Sequence, residues 1–184
     1  MRCFDVFNGD ADGICALRQL RLAEPMEATL VTGMKRDIAL LQRVPAQRGD
    51  RVTVLDISLD RNREALGALL ERGAEVRYFD HHFAGAIPRH PNLVAVIDES
   101  GALCTSALVD RHVMGRFRPW AVAGAFGDNL PQAALELARA TDLTVEQIAR
   151  LRELGESLNY NAYGASLADL LVPPAELYLS LIHI

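Results

Sequence analysis

Asp80-His81-His82 and the distant segment Asn8-Gly9-Asp10-Ala11-Asp12-Gly13 both place ionisable side chains where an apolar, strand-like run ends. A third acidic residue, Asp56, ends the run Arg51-Val52-Thr53-Val54-Leu55. A fourth, Asp128, lies in Ala125-Phe126-Gly127-Asp128-Asn129. Magnesium and manganese take hard oxygen ligands, whereas imidazole also suits manganese, iron, cobalt and zinc. The mixture of Asp and His therefore points to a divalent-metal site that is not purely a magnesium site, and to metal-dependent hydrolysis.

The spacing suggests roles. Asp10 and Asp12 can both turn toward one cavity once the chain leaves the strand, with Gly9 and Gly13 giving the bend its freedom. Two cations about 4 Å apart need a bridging carboxylate to damp their repulsion. Asp56 is the candidate bridge, because its strand is expected to lie centrally. His81 and His82 are adjacent and point to opposite sides of an extended segment. One can bind metal while the other meets a substrate oxygen or donates a proton, with Asp80 orienting an imidazole. Two cations would lower the pKa of a shared water and neutralise phosphoryl oxygens as charge shifts in the transition state.

These residues need a scaffold that gathers strand ends. Residues 3–7, 28–32, 51–55, 75–79 and 93–97 read as five strands. Helical patterns run between several of them: residues 13–23, a stretch after Lys35 with Ile38, Leu40 and Leu41, and a helix capped by Asp60 and ended by Gly73. The alternation predicts an α/β fold, a mostly parallel five-stranded sheet with helices on both faces. In such sheets the ligand site lies beyond the carboxyl ends of the strands. After residue 100 the pattern turns helical, over 102–114, 120–126 and 131–139, and over a segment capped by Thr144 with Ile148, Leu151 and Leu154 on one face. Pro173-Pro174 reads as a linker.

Composition sets outer limits. The chain has 184 residues, half of them hydrophobic, enough for a sizeable core. A net charge of −5 gives no general attraction to nucleic acid, so any such binding must be local. All but one of the 19 basic residues are arginine, the exception being Lys35. Cys3, Cys15 and Cys104 form no CxxC pair and read as free thiols in a reducing compartment. With no charged-then-apolar leader and no run of about 20 apolar residues, a cytoplasmic location is expected. The ending Leu179-Ser180-Leu181-Ile182-His183-Ile184 looks like translated sequencing-adapter sequence. Residues 179–184 are accordingly expected to be non-native, and His183 is left out of the chemistry.

Taken in order, the four clusters resemble the DHH phosphoesterase family, which includes RecJ-type exonucleases, oligoribonucleases, cyclic-dinucleotide phosphodiesterases and manganese pyrophosphatases. Asp10-Ala11-Asp12-Gly13 resembles its first motif, Asp56 stands at its second, Asp80-His81-His82 is the naming motif, and Gly127-Asp128 resembles its fourth. The resemblance implies metal ligation by Asp10, Asp12, Asp56, His81 and Asp128, with His82 closer to substrate and Asp80 supporting it. It implies two divalent ions, most naturally Mn²⁺, and a nucleotide or short single-stranded nucleic acid as substrate. One departure is Asn8, which stands where many members carry a charged or imidazole ligand and can offer only an amide oxygen. The resemblance also implies a phosphoesterase domain over 1–130, a helical tail and connector over 131–178, and a missing C-terminal substrate-binding domain.

Two other readings compete. A phosphoacceptor domain would also place acidic residues after its first and third strands, but it needs a lysine near the last strand, and Lys35 follows the second. A non-catalytic nucleotide-binding or regulatory module would keep the fold, and Asn8 is its best support. Ser100, Thr105 and Ser106 could mark a helix start that receives phosphate through backbone N–H groups, or simply an N-cap.

Overall fold

The computed structural model describes residues 1–164 and 166–181. In chain order it contains β1 (Cys3–Asn8), α1 (Ala11–Ala23), β2 (Thr29–Gly33), β3 (Arg51–Leu55), α2 (Arg63–Glu71), β4 (Glu75–Asp80) and β5 (Leu93–Ile97). A run of helices follows: α3 (Thr105–His112), α4 (Arg118–Gly127), α5 (Pro131–Arg139), α6 (Val145–Asn161) and α7 (Pro174–Ser180). The five strands form one sheet in the order β2-β1-β3-β4-β5, and every neighbouring pair is parallel. This is the α/β architecture expected from the alternation, with β3 at the centre.

Side-chain alternation sorts the core into two layers. Phe4 and Val6 of β1, Val52 and Val54 of β3, and Val76 and Tyr78 of β4 pack with Leu66, Leu69 and Leu70 of α2 on one face. Phe7, Leu55 and Phe79 point the other way, against Ile14 and Leu17 of α1, Val109 of α3 and Leu158 of α6. A third cluster joins Cys104, Ala107, Val122, Ala125 and Ala134 under the helical segment. Asp5 is buried in β1, held by Arg21 Nε at 2.8 Å. Breaking such a buried pair on one side costs about 3–5 kcal/mol.

Several local expectations need correction. Asp60 does not cap a helix; it opens a 3₁₀ turn, Asp60–Asn62, that leads into α2. The stretch after Lys35 forms a 3₁₀ turn, Leu40–Arg43, rather than an α-helix. The helix expected over 102–114 is shorter, because Ala102 N–H bonds the Ser100 hydroxyl and the chain reverses at Met114, with φ +57°. Pro173-Pro174 is no linker: Pro174 starts α7, is buried, and lies where a side chain on Gly9 would have to go. Thr144 does cap α6, in a reciprocal capping box with Gln147. Residues 179–181 finish α7 and the turn after it, while residues 182–184, His183 among them, lie outside the described residues. No helix among the described residues is long and apolar enough to cross a membrane.

Candidate metal centre

The sheet register fixes the site. Phe7 pairs with Leu55, and Leu55 with Phe79, so Asn8, Asp56 and Asp80 are the next residues along three adjacent strands. The order 2-1-3 puts the topological switch point between β1 and β3, where the chain ends diverge and leave a crevice. Asp10 and Asp12 enter it from the start of α1, and Asp128 from the residue that caps the end of α4.

Asp12 is fully buried, and both of its oxygens are engaged. They accept the backbone N–H groups of Thr105 and Ser106, each at 2.7 Å, at the N-terminus of α3. Charge-assisted bonds of this length contribute about 1.5–3 kcal/mol each and place the anion on the positive end of the helix. Of the two readings of Thr105 and Ser106, a phosphate site or a plain helix start, the structure favours the second: their amides are taken by Asp12. Ser100 instead donates its N–H to Asp98.

Asp56 follows β3 with φ at +60°, a left-handed backbone that Asp tolerates better than most residues. Its N–H bonds the Phe79 carbonyl at 3.0 Å, and its Oδ1 accepts the Thr105 hydroxyl at 3.3 Å. Burial and the charges of Asp10, Asp12, Asp128 and Asp80 push its carboxyl well above the usual carboxylate range. Burial, then the charge of Asp12, pushes Asp128 up to about 6, despite the opposing pull of His81.

His81 is the hub. Its Nε2 lies 3.4 Å from Asp56 Oδ1, 3.6 Å from Asp128 Oδ2 and 3.9 Å from Asp12 Oδ2. Two sets of donor atoms are close enough to hold an ion, Asp12–His81–Asp128 and Asp56–His81–His82, each within 4.8 Å of one another. Donors about 2.0–2.6 Å from a shared hard cation stand roughly 3–5 Å apart, so the geometry fits such a cation. His82 Nδ1 lies 3.9 Å from Asp56 Oδ1 but is engaged more closely by Asp80 Oδ1, at 2.7 Å. That bond, outweighing burial, raises the imidazole pKa from its ordinary value. The other oxygen of Asp80 is buried with no hydrogen-bond partner among the described residues.

Two expected ligands stand apart from these sets. Asp10 caps α1, its Oδ1 accepting the N–H groups of Asp12 and Gly13 at 3.1 and 3.2 Å. Its Oδ2 meets Lys35 Nζ at 2.7 Å. Asn8 donates from its side-chain amide to the Lys35 carbonyl at 3.4 Å, and its own Oδ1 is buried without a partner among the described residues.

Lys35 follows the second strand, and no motif residue in the sequence lies beside it. The structure brings its ammonium into the acidic pocket, beside Asp10, 3.8 Å from Asp128 Oδ1 and 2.9 Å from Asn159 Oδ1. Burial would lower its pKa, but the charge and hydrogen bond of Asp10 outweigh that and hold it at about 12. A cavity of about 320 Å³ opens beside these groups, with Lys35, His82 and Asp128 on its wall and Arg61 and Phe83 at hand. Phe83 is 67% exposed, and its position directly after His82 was the signal available in the sequence. A larger cleft, of about 550 Å³, lies at the opposite end of the strands, around Cys3, Arg51 and Glu75. None of the acidic and imidazole set lines it. His90 and His112 also lie elsewhere, engaged with Asn92 N–H and Glu24.

Solved structures share this fold. A member of the s1p family of ribosomal proteins with a DHH domain superposes with a TM-score of 0.59 at 13% identity, over 99% of this chain and 56% of that one. Exonuclease RecJ bound to manganese gives 0.53 at 20% identity, over 88% and 49%. RecJ in complex with Mn²⁺ from Thermus thermophilus gives 0.51 at 17%, over 99% and 34%. The chain therefore has a DHH/RecJ-like fold, and it spans between about a third and just over half the length of these structures. At such identities the likeness speaks to the fold alone. No family model and no curated protein matches the sequence.

Proposed function

We propose that this chain is a metal-dependent phosphoesterase acting on phosphodiester bonds of nucleotides or short single-stranded nucleic acid. The observation that carries this reading is the convergence on His81 Nε2 of carboxylate oxygens from Asp12, Asp56 and Asp128, residues far apart in the chain. These four side chains would hold the divalent ion. Mn²⁺ suits the mixed donor set best, and two of the structures that share the fold bear manganese. The second ion of a two-ion arrangement would draw on Asp10, with Asp56 as the bridge.

When bound, the ion supplies Lewis-acid stabilisation to a phosphoryl oxygen and makes a water more acidic. The chain's own residues do the rest. Asp80 fixes His82 through Nδ1, leaving Nε2 to give a proton to the departing alcohol. His82 is a catalytic residue on this reading, and Asp80 positions it. Arg61 offers a bidentate contact to phosphate, and the exposed Phe83 ring a face on which a base can stack. Residues 1–130 would form the catalytic unit. The segment 131–178, expected to be a tail and connector, reaches the site through Asn159.

The test is Mn²⁺-stimulated cleavage of an aryl phosphodiester and of a short labelled RNA. Asp56→Asn keeps a residue type that accepts the left-handed backbone while removing the charge. It should abolish cleavage and leave the circular dichroism spectrum unchanged. Full activity in that variant would end the proposal.

A further inference from the structure

Lys35 does more than balance a charge at the rim. Its ammonium is enclosed by oxygens from three separate parts of the chain: Asp10 Oδ2 at 2.7 Å, Asn159 Oδ1 at 2.9 Å and Asp128 Oδ1 at 3.8 Å. Its backbone is pinned on both sides. The Lys35 N–H bonds the Ala162 carbonyl at 3.2 Å, and the Lys35 carbonyl accepts the Asn8 amide. The Tyr163 ring stands 5.8 Å from Nζ. The head group is thus aimed from a short turn into the crevice and held there by the end of α6.

The same corner is short of the negative charge a divalent ion would need. Asn8 offers a buried amide oxygen there, with no partner among the described residues, but no charge. Asp10 has one oxygen on two backbone amides and the other on Lys35, and it belongs to neither of the donor sets able to hold an ion. A divalent ion entering beside Asp10 would meet the ammonium at close range. An ammonium is a compact point charge with three donors and no acceptor, and it can stand in a shell of oxygens much as a small cation does.

We propose that Lys35 takes the place of the second metal ion: the enzyme works with one divalent ion at Asp12, Asp56, His81 and Asp128, and the Lys35 ammonium supplies the second positive charge facing the phosphoryl group. The proposal rests on the phosphoesterase reading above, and it changes what that site requires. Lys35 shares the cavity wall with His82 and Asp128, so it can donate to a non-bridging phosphoryl oxygen without leaving Asp10. Such a donor is present before any ion arrives and needs no second ion to assemble.

Mn²⁺ binding by calorimetry, with electron paramagnetic resonance on the same samples, tests this. The wild-type chain should bind one Mn²⁺ and give the six-line spectrum of an isolated ion. The double variant Lys35→Ala, Asn8→Asp should bind two and show the broadened spectrum of a coupled pair. Two ions in the wild type would overturn the proposal and leave the phosphoesterase reading standing. One ion in the folded double variant would also overturn it, since the corner would then be an ordinary ion pair. No ion in the wild type would remove the phosphoesterase reading itself, and this proposal with it. Should the double variant not fold, the wild-type stoichiometry and spectrum still decide between one ion and two.

Discussion

Replacing Asp128 by Asn should stabilise the metal-free protein. The Asp128 carboxyl is raised from 3.8 to about 6, by burial first and by the charge of Asp12 next. Its side chain is 18% exposed, so solvent screens it only in part. A rise of about two pKa units corresponds to about 3 kcal/mol at roughly 1.4 kcal/mol per unit. The sign follows from which state holds the proton. Below about pH 4 the carboxyl is protonated whether the chain is folded or not, and it imposes no penalty. Between about pH 4 and pH 6 the unfolded chain ionises first, so the folded state loses ground as pH rises. Above pH 6 the penalty is complete. Urea denaturation in a chelating buffer should therefore show Asp128→Asn more stable than wild type by up to about 3 kcal/mol at pH 7.5, with the gap closing near pH 4. Mn²⁺ should reverse the order. At a thousandfold excess over its dissociation constant it adds about 4.1 kcal/mol to a protein that binds it, more than the variant's lead, and the variant has lost a charged ligand. A variant less stable than wild type in chelator at pH 7.5, or a difference that does not change with pH, would refute the reasoning.

Asp12→Ala should behave oppositely in chelator, because it strands two buried amides at the start of α3. A loss of about 3 kcal/mol or more by urea denaturation is expected, at pH 7.5 and without metal. Gly155→Ala should destabilise by about 1–3 kcal/mol, since a Cβ there would lie 2.0 Å from the Ala123 carbonyl oxygen where α4 and α6 cross. Thermal melts would check it, and a neutral result would mean that the crossing can open.

The sheet and most of its site were readable because both depend on patterns local in the chain. β3 and β5 fall on the expected residues, and Asp56 directly follows the central strand, as expected. What was not readable depends on which elements meet. Lys35 lies in a turn after β2, and it reaches Asp10 because β2 borders β1 and because α6 ends beside that turn. Nothing in the residues around Lys35 announces either fact. The partners of Asp12 are backbone amides, which carry no residue identity to read. Pro173-Pro174 has the composition of a linker, but α7 lies against the sheet and α1, so Pro174 became the first turn of a packed helix.

The way these carboxylates are held separates scaffold from ligand more sharply than the motifs do. Asp10 spends its oxygens on the start of α1 and on Lys35, Asp12 on the start of α3, and Asp80 places one oxygen on His82. Helix N-termini and cations offset those charges within the protein itself. Asp56 and Asp128 accept no backbone N–H among the described residues, and both are pushed upward by burial and by their neighbours. Asp128 has Lys35 only at 3.8 Å and Asp56 has the Thr105 hydroxyl, so both are less fully offset than Asp10 and Asp12, and both face His81. A cation entering there would relieve the repulsion that raises both carboxyls, so the affinity for a divalent ion should draw on Asp56 and Asp128. Asp10 carries the motif, but its charge is already met by Lys35.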